Sequence, residues 1–355
     1  MKSTDKLFSL SNVDAILLIS DKNRMYFTGF ASTFGYMVLL PQDQNYFITD
    51  PRYFEMAQDL ECDELHVLQI ENGVSALGMV TKILKDHNVQ TLGFEDTELT
   101  VADFDGLKQG LADFQLVPVG KNINYVRSFK TEEEIEYIKK AQAITDASFK
   151  EICNVIKAGM TEKEVAIELE YIMAKNGAEG LAFDTIVASG VNTSKPHAHP
   201  TDKVIEVGDA VTMDFGARYH GYCSDMTRTV FVGEPSEEMR NIYNIVLLAQ
   251  RTGIAGAYNG IAGSELDALC REVIKSNGYG PYFTHSTGHS LGIDIHELPS
   301  ASSRSTDVLT VGQLITVEPG IYVPGLGGVR IEDLLLFTQD GVINLTTSDK
   351  NIIIL

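Results

Sequence analysis

Tryptophan is absent from this chain, and cysteine occurs only four times. Cys62, Cys153, Cys223 and Cys270 are widely spaced and form no Cys-x-x-Cys pair. That excludes a disulfide framework and a thiolate zinc site, and predicts reduced, mostly buried thiols. Cys223 is expected to serve packing. Positive charge is also scarce, with 28 Lys and Arg against 49 Asp and Glu and a net charge of −21. A nucleic acid or an anionic membrane needs a basic surface, so neither is an expected partner. No apolar run approaches the roughly 20 residues of a membrane span. The N-terminal apolar stretch, Leu7-Phe8-Ser9-Leu10, is too short for a signal peptide, and cytoplasm is the expected compartment.

What is present is ordinary for a globular protein: 44% hydrophobic and 22% charged residues over 355 positions, enough for two domains. Residues 1–125 read as a small α/β domain. Strands are expected at 15–19, 36–40, 46–49 and 90–94, and helices at 53–60 and 75–87. The domain holds no metal-ligand cluster, phosphate loop or nucleophile motif. Residues 118–128 read as a short connector. Thr131-Glu132-Glu133-Glu134 then starts a helix with acids in its first turn, so the second domain is set at 126–355.

From residue 131 the chain repeats itself. Long helical patterns at 131–157 and 236–258 each carry Ala-Gln. Each is followed by a loop with a candidate Thr or Ser cap, Thr161 and Ser264. Second helices then end at Lys175-Asn176-Gly177 and Ser276-Asn277-Gly278, where glycine suits the left-handed position. Residues 207–216 finally match 311–320 position for position in type. Each half thus reads helix, helix, strand hairpin, with Asp214 and Glu318 equivalent at the strand ends.

The first hairpin combines strands at 210–217 and 222–232, with its turn placed about Tyr219 and His220 beside Gly221. In that register Asp214 and Asp225 are directly opposed. Like charges so placed repel; either both acids are solvated or a cation lies between them. In the second half, alternation along residues 329–337 puts Arg330 and Glu332 on one face, with Val329 and Ile331 on the other. Asp209, Asp294 and Asp333 read as solvated or capping acids.

Four carboxylates alone suit calcium or magnesium. Histidines shift the preference toward manganese, cobalt, zinc or iron. Residues 284–297 hold His285, His289 and His296. Ser286, Thr287 and Gly288 are poor helix formers, so a loop is expected rather than a metalloprotease helix. His197 and His199 lie in a proline-bounded loop whose rigidity suits an imidazole that contacts substrate. Singly, each of His285, His289 and His296 is more often a surface or structural residue than a ligand; as a cluster beside four acids, the ligand reading is stronger.

These motifs together resemble the "pita-bread" metallopeptidases, the family of methionine aminopeptidase, aminopeptidase P and prolidase. The resemblance covers residues 131–355. It is carried by Met213-Asp-Phe-Gly216, Gly221-Tyr-Cys-Ser-Asp-Met-Thr-Arg-Thr229, Ser286-Thr-Gly-His289, His296-Glu297, Val317-Glu-Pro-Gly-Ile321 and Val329-Arg-Ile-Glu-Asp333. It implies an α+β fold: duplicated helix-helix-hairpin halves around a curved antiparallel sheet, with a smaller α/β creatinase-like domain in front. It also implies two divalent metal ions, manganese first, with cobalt, zinc or iron as alternatives. Asp214 would chelate one metal and Asp225 would bridge both. His289 and Glu318 would complete the other, and Glu332 would be the second bridge. A water shared by the metals would attack, with Glu318 shuttling its proton. His197 and His296 match histidines that hydrogen-bond the scissile carbonyl, His285 one that lines a proline pocket, and Arg330 one that supports the network. The residues after His197 depart mildly from the family pattern, so His199 is assigned no contact.

Residues 1–125 are similar to the N-terminal domain of the aminopeptidase P and prolidase branch at Tyr26-Phe-Thr-Gly-Phe30 and Ile48-Thr-Asp-Pro-Arg-Tyr53. That implies Xaa-Pro substrates, dipeptides or longer peptides beginning Xaa-Pro, and a homodimer. An Xaa-Pro aminopeptidase is expected first. A strict Xaa-Pro dipeptidase and a catalytically silent peptide-binding relative are the alternatives.

Overall fold

The computed structural model describes residues 4–42 and 44–355, so the first three positions of the stretch assessed as a leader, and Asp43, lie outside it. The chain divides into two compact units, Met1–Arg127 and Ser128–Leu355. Among the described residues no helix is long and apolar enough to cross a membrane.

The first unit is built on a six-stranded mixed sheet. Its spatial order is Leu65–Gln69, Asn45–Thr49, Tyr36–Leu39, Ala15–Leu18, Thr91–Phe94, Gln115–Pro118. Ala15–Leu18 is one of the two central strands, parallel to Thr91–Phe94 and antiparallel to Tyr36–Leu39. All four of its residues are buried, which is why it reads as a continuous apolar run without alternation. The expected helix at 75–87 is Ala76–Asp86, capped by Ser75; that at 53–60 is Pro51–Ala57 followed by a 3₁₀ turn, Gln58–Leu60. The expected connector at 118–128 is instead mostly the helix Gly120–Arg127, stabilised by burial of Ile123, Val126 and Arg127 rather than by propensity. Helices Asp5–Ser11, Asp21–Thr28 and Val101–Gly110 were not legible beforehand.

The second unit shows the duplication. Its first half has helices Glu132–Ile152 and Glu162–Lys175, each opened by a Thr–Glu capping box (Thr131 with Glu134, Thr161 with Glu164). The second half has Glu237–Gly256, capped by Ser236, and Gly263–Ser276. Here the expected Ser264 cap is corrected. Ala262 occupies the cap position, and only the reciprocal half of the box survives, with Glu265 accepting from the Ala262 N–H at 3.2 Å. Gly263 permits that entry, since a Cβ there would lie 2.1 Å from the Ser300 carbonyl oxygen.

The β-structure of this unit is a set of short antiparallel ladders. Ala210–Phe215 pairs with Met226–Phe231, and Leu314–Val317 with Asp333–Thr338. In the first pair Val211, Met213, Phe215, Met226 and Val230 point into the apolar core, which leaves Asp214 on the opposite face. The register differs from expectation. The turn is His220–Gly221, both at positive φ (47° and 76°), the requirement of a tight two-residue hairpin. Moving the turn by one residue puts Asp214 opposite Thr227, and the same register puts Asp225 across from Gly216. The two acids are therefore diagonal, not directly opposed. Gly216 is obligatory there, because a Cβ would sit 2.0 Å from the Ser224 carbonyl oxygen.

Two further expectations change. Asp333 is not solvated: it is 1% exposed, bound by Arg228 at 2.7 Å, by Asn344 at 2.7 Å and by Lys350. Asp209 is a capping acid in keeping with expectation, accepting the Glu206 N–H at 3.0 Å and pairing with Lys203 at 2.6 Å. The four cysteines are all free, but only Cys223 and Cys270 are buried; Cys62 is exposed.

Candidate metal centre and substrate cavity

The strand ends of both halves open onto one cavity of about 580 Å³ within the second unit. Its floor carries Asp214, Asp225, Glu318 and Glu332, and its mouth carries His197 and His296. Asp214 lies on the strand Ala210–Phe215, and Asp225 immediately precedes Met226–Phe231. Glu318 directly follows Leu314–Val317 and Glu332 directly precedes Asp333–Thr338, so their shared register sets these two acids across from each other. His289 lies on a short strand, Gly288–Ser290, where a loop was expected; His285 is in the loop before it. His199 also lines the cavity and is exposed.

Ligand atoms of Asp225, His289 and Glu332 all lie within 4.8 Å of one another. His289 Nε2 stands 3.4 Å from Glu318 Oε1 and 3.7 Å from Asp225 Oδ2. Its Nδ1 is 3.1 Å from the Ser290 carbonyl oxygen, a pure acceptor, so Nδ1 carries the proton and Nε2 offers its lone pair to the acids. Burial holds the His289 imidazole below its ordinary pKa, which keeps it neutral. Asp214 is brought in differently: Arg330 Nη2 donates to its Oδ2 at 2.7 Å.

Two threonines brace the acids. Thr227 Oγ1 accepts from Arg330 Nε at 2.9 Å and donates to Glu332 Oε2 at 2.8 Å. Thr316 Oγ1 accepts the His289 N–H at 3.0 Å and donates to Glu318 Oε1 at 3.0 Å. Arg330 Nη1 also donates to the Tyr322 hydroxyl at 2.8 Å, and that hydroxyl donates to His285 Nε2 at 2.8 Å. With Nδ1 against the Ser286 carbonyl at 2.8 Å, both His285 nitrogens are occupied. What His285 presents to the cavity is ring edge, not a hydrogen bond. Burial, and then the charge of Arg330, push its pKa down to about 3.

None of Thr227, Thr316 and Tyr322 was singled out from sequence. Thr316 lies two residues before Glu318 and shares its face, a signal that was available. Thr227 was hidden by the one-residue misplacement of the turn. Tyr322 carries no motif.

The electrostatics of the floor favour a cation. Burial, then Glu332, Asp214 and Glu318, raise the Asp225 pKa well above the usual carboxylate range. Burial, then Glu318 and Asp214, do the same to Glu332. Glu318 is pushed up to about 8, chiefly by burial, with Arg330 opposing. Three buried oxygens, Asp214 Oδ1, Asp225 Oδ1 and Glu332 Oε1, have no hydrogen-bond partner. Orphaned acceptors on three acids, beside an imidazole lone pair, form a donor set that fits a hard or borderline divalent cation.

A buried carboxylate–imidazole centre at the base of an open cavity defines a metal-dependent hydrolase. The comparisons agree. Residues 136–339 match Metallopeptidase family M24 and residues 1–129 match the Creatinase/Prolidase N-terminal domain. The chain belongs to the M24 metallopeptidase family, whose members use divalent metal ions. It is 40% identical to the Xaa-Pro dipeptidase of Pyrococcus furiosus over 98% of this chain and 97% of the relative. Among solved structures, it is similar to an Xaa-Pro dipeptidase from Bacillus anthracis, with TM-score 0.95, 44% identity and coverage of 99% and 98% of the two chains. It is also similar to an X-Pro aminopeptidase from Thermotoga maritima, with TM-score 0.92, 38% identity and coverage of 99% and 100%.

Proposed function

We propose that this chain hydrolyses the Xaa-Pro bond at the N-terminus of peptides, using two divalent cations held by Asp214, Asp225, His289, Glu318 and Glu332. The observation that carries the reading is the set of three orphaned carboxylate oxygens grouped with the free Nε2 of His289. Mixed carboxylate and imidazole donors suit manganese first, then cobalt, zinc or iron. Cations there supply an acidified water and polarise the scissile carbonyl.

The chain's own residues do the rest. His197 and His296, at the mouth, donate to the oxygen on which charge develops; one such donor contributes about 3 kcal/mol to a transition state. Burial, reinforced by His289 and His197, holds the His296 pKa low and keeps the ring a neutral donor. Glu318 is the carboxylate we assign to take and return the proton of the attacking water. Arg330 orients Asp214, and the acid-rich floor attracts the substrate's free α-amino group. The Xaa-Pro amide has no N–H, so recognition falls to shape. Phe183, Ile186, Ile295 and the ring edge of His285 give the cavity an apolar wall for the proline ring.

The relatives' own descriptions divide between dipeptidase and aminopeptidase. Metal analysis of the purified protein, followed by hydrolysis of an Xaa-Pro dipeptide beside an Xaa-Pro-Yaa tripeptide, separates the two. We expect chelator-sensitive cleavage of both peptides. Cleavage of the dipeptide alone replaces the reading with a strict dipeptidase, and a metal-loaded protein inert to both removes the catalytic reading. A cytoplasmic homodimer goes with the proposal, and light scattering on the eluted protein tests its size.

A further inference from the structure

Glu162 is the first residue of the helix Glu162–Lys175 and is fully buried, yet the donors that satisfy it are neutral. Its Oε1 accepts from the Ser189 N–H at 2.6 Å, the Ser189 hydroxyl at 2.9 Å and the Asn192 amide at 3.1 Å. Its Oε2 accepts from the Thr201 N–H at 3.0 Å and from the Thr201 hydroxyl. The two oxygens therefore serve opposite ends of one segment, residues 189–201, and that segment carries His197. Its middle is held independently. Arg330 Nη1 donates to the carbonyl of Pro196, next to His197, at 3.2 Å, and Thr193 Oγ1 accepts the Gly328 N–H at 2.7 Å.

The geometry points to Glu162 as a positioning residue: one carboxylate closes the 189–201 loop into a ring and thereby fixes where His197 meets the scissile carbonyl. A helix N-terminus favours negative charge, and five donors complete the shell. Glutamine at this position keeps the shape but replaces one acceptor oxygen with a donor, which removes the side chain's hold on one stem and leaves only the backbone bonds there, Ser189 with Val211 or Lys163 N–H to the Thr201 carbonyl.

This inference rests on His197 as a substrate donor, and the test separates the two claims. Glu162→Gln, His197→Ala and the double variant are compared as full-length, metal-loaded protein on an Xaa-Pro dipeptide, with hydrogen exchange of the loop amides measured in parallel. Glu162→Gln is expected to lower kcat on the order of 100-fold through misplacement, with KM, metal content and circular dichroism retained. The double variant is expected to be no slower than His197→Ala, and the amides of residues 190–201 to exchange faster. Multiplicative losses in the double variant, or unchanged exchange in the loop, overturn the inference. Normal turnover by His197→Ala instead removes the donor assignment, while the exchange data still decide whether Glu162 closes the loop. If Glu162→Gln does not fold, Ser189→Ala with Thr201→Val removes a hydroxyl donor at each stem and is read in the same cycle with the same outcomes.

Discussion

Arg330 donates to Asp214 at 2.7 Å, joining the strand Gly327–Arg330 of the second half to the strand Ala210–Phe215 of the first. Both side chains are largely buried, at 4% and 15% exposure, so this ion pair is part of the cavity floor, not of its rim. Removing one partner of a buried pair leaves the other uncompensated, typically at about 3 to 5 kcal/mol. Arg330→Gln is therefore expected to destabilise the chelated protein by that order in denaturant unfolding at pH 7. A loss under about 1 kcal/mol is the outcome that contradicts the role.

Thr227 makes a sharper case because it has a near-isosteric apolar substitute. Thr227→Val strips Glu332 Oε2 of its donor and Arg330 Nε of its acceptor. The expected cost is about 1 to 3 kcal/mol of stability, with metal affinity weakened roughly 10- to 100-fold as for other groups that orient a ligand. A competition assay with a metal indicator reads the second quantity, and unchanged affinity speaks against Thr227 as a brace.

Tyr322→Phe tests the relay from Arg330 to His285. The variant leaves His285 Nε2 without its donor and frees the ring to turn. KM for an Xaa-Pro substrate is expected to rise several-fold, with kcat less affected, because His285 presents a wall rather than a reacting group. A kcat loss with KM unchanged points instead to His285 as a hydrogen-bonding participant.

The metal-free protein should show a defined pH dependence. Asp225, Glu332 and Glu318 all have raised pKa values, Glu318 at about 8. The folded chelated state thus keeps protons that the unfolded chain has released above about pH 5, and stability falls as pH rises through that range. His285, His289 and His296 act oppositely: their depressed values cost stability as pH falls below about 6.5. Between pH 6.5 and 8 the acids act alone. Tm of the chelated protein is expected to decline across that window, and saturating divalent metal to abolish the decline, since a cation replaces the protons. A chelated Tm that rises over the window contradicts the assignment.

The residues that line this cavity were legible chiefly through motifs that resemble those of the family. All the assigned residues line the one cavity. What escaped is geometry that depends on single-residue placement or on distant partners. Gly221 marked a turn, but not whether Tyr219–His220 or His220–Gly221 formed it, and that one step hid Thr227 behind Asp225 as the residue facing Asp214. Asp333 read as solvated because Arg228 and Lys350, which bury it, are far away or in an uninformative tail. Ser264 had the chemistry of a cap, yet close packing of Gly263 on Ser300 moved the helix start two residues earlier.

The central claim is that Asp214, Asp225, His289, Glu318 and Glu332 grip divalent cations. Anomalous diffraction from crystals grown with manganese tests it directly. Two peaks are expected, within coordination reach of the orphaned oxygens of Asp214, Asp225 and Glu332 and of His289 Nε2. A well-ordered site with no anomalous peak among these atoms contradicts the account.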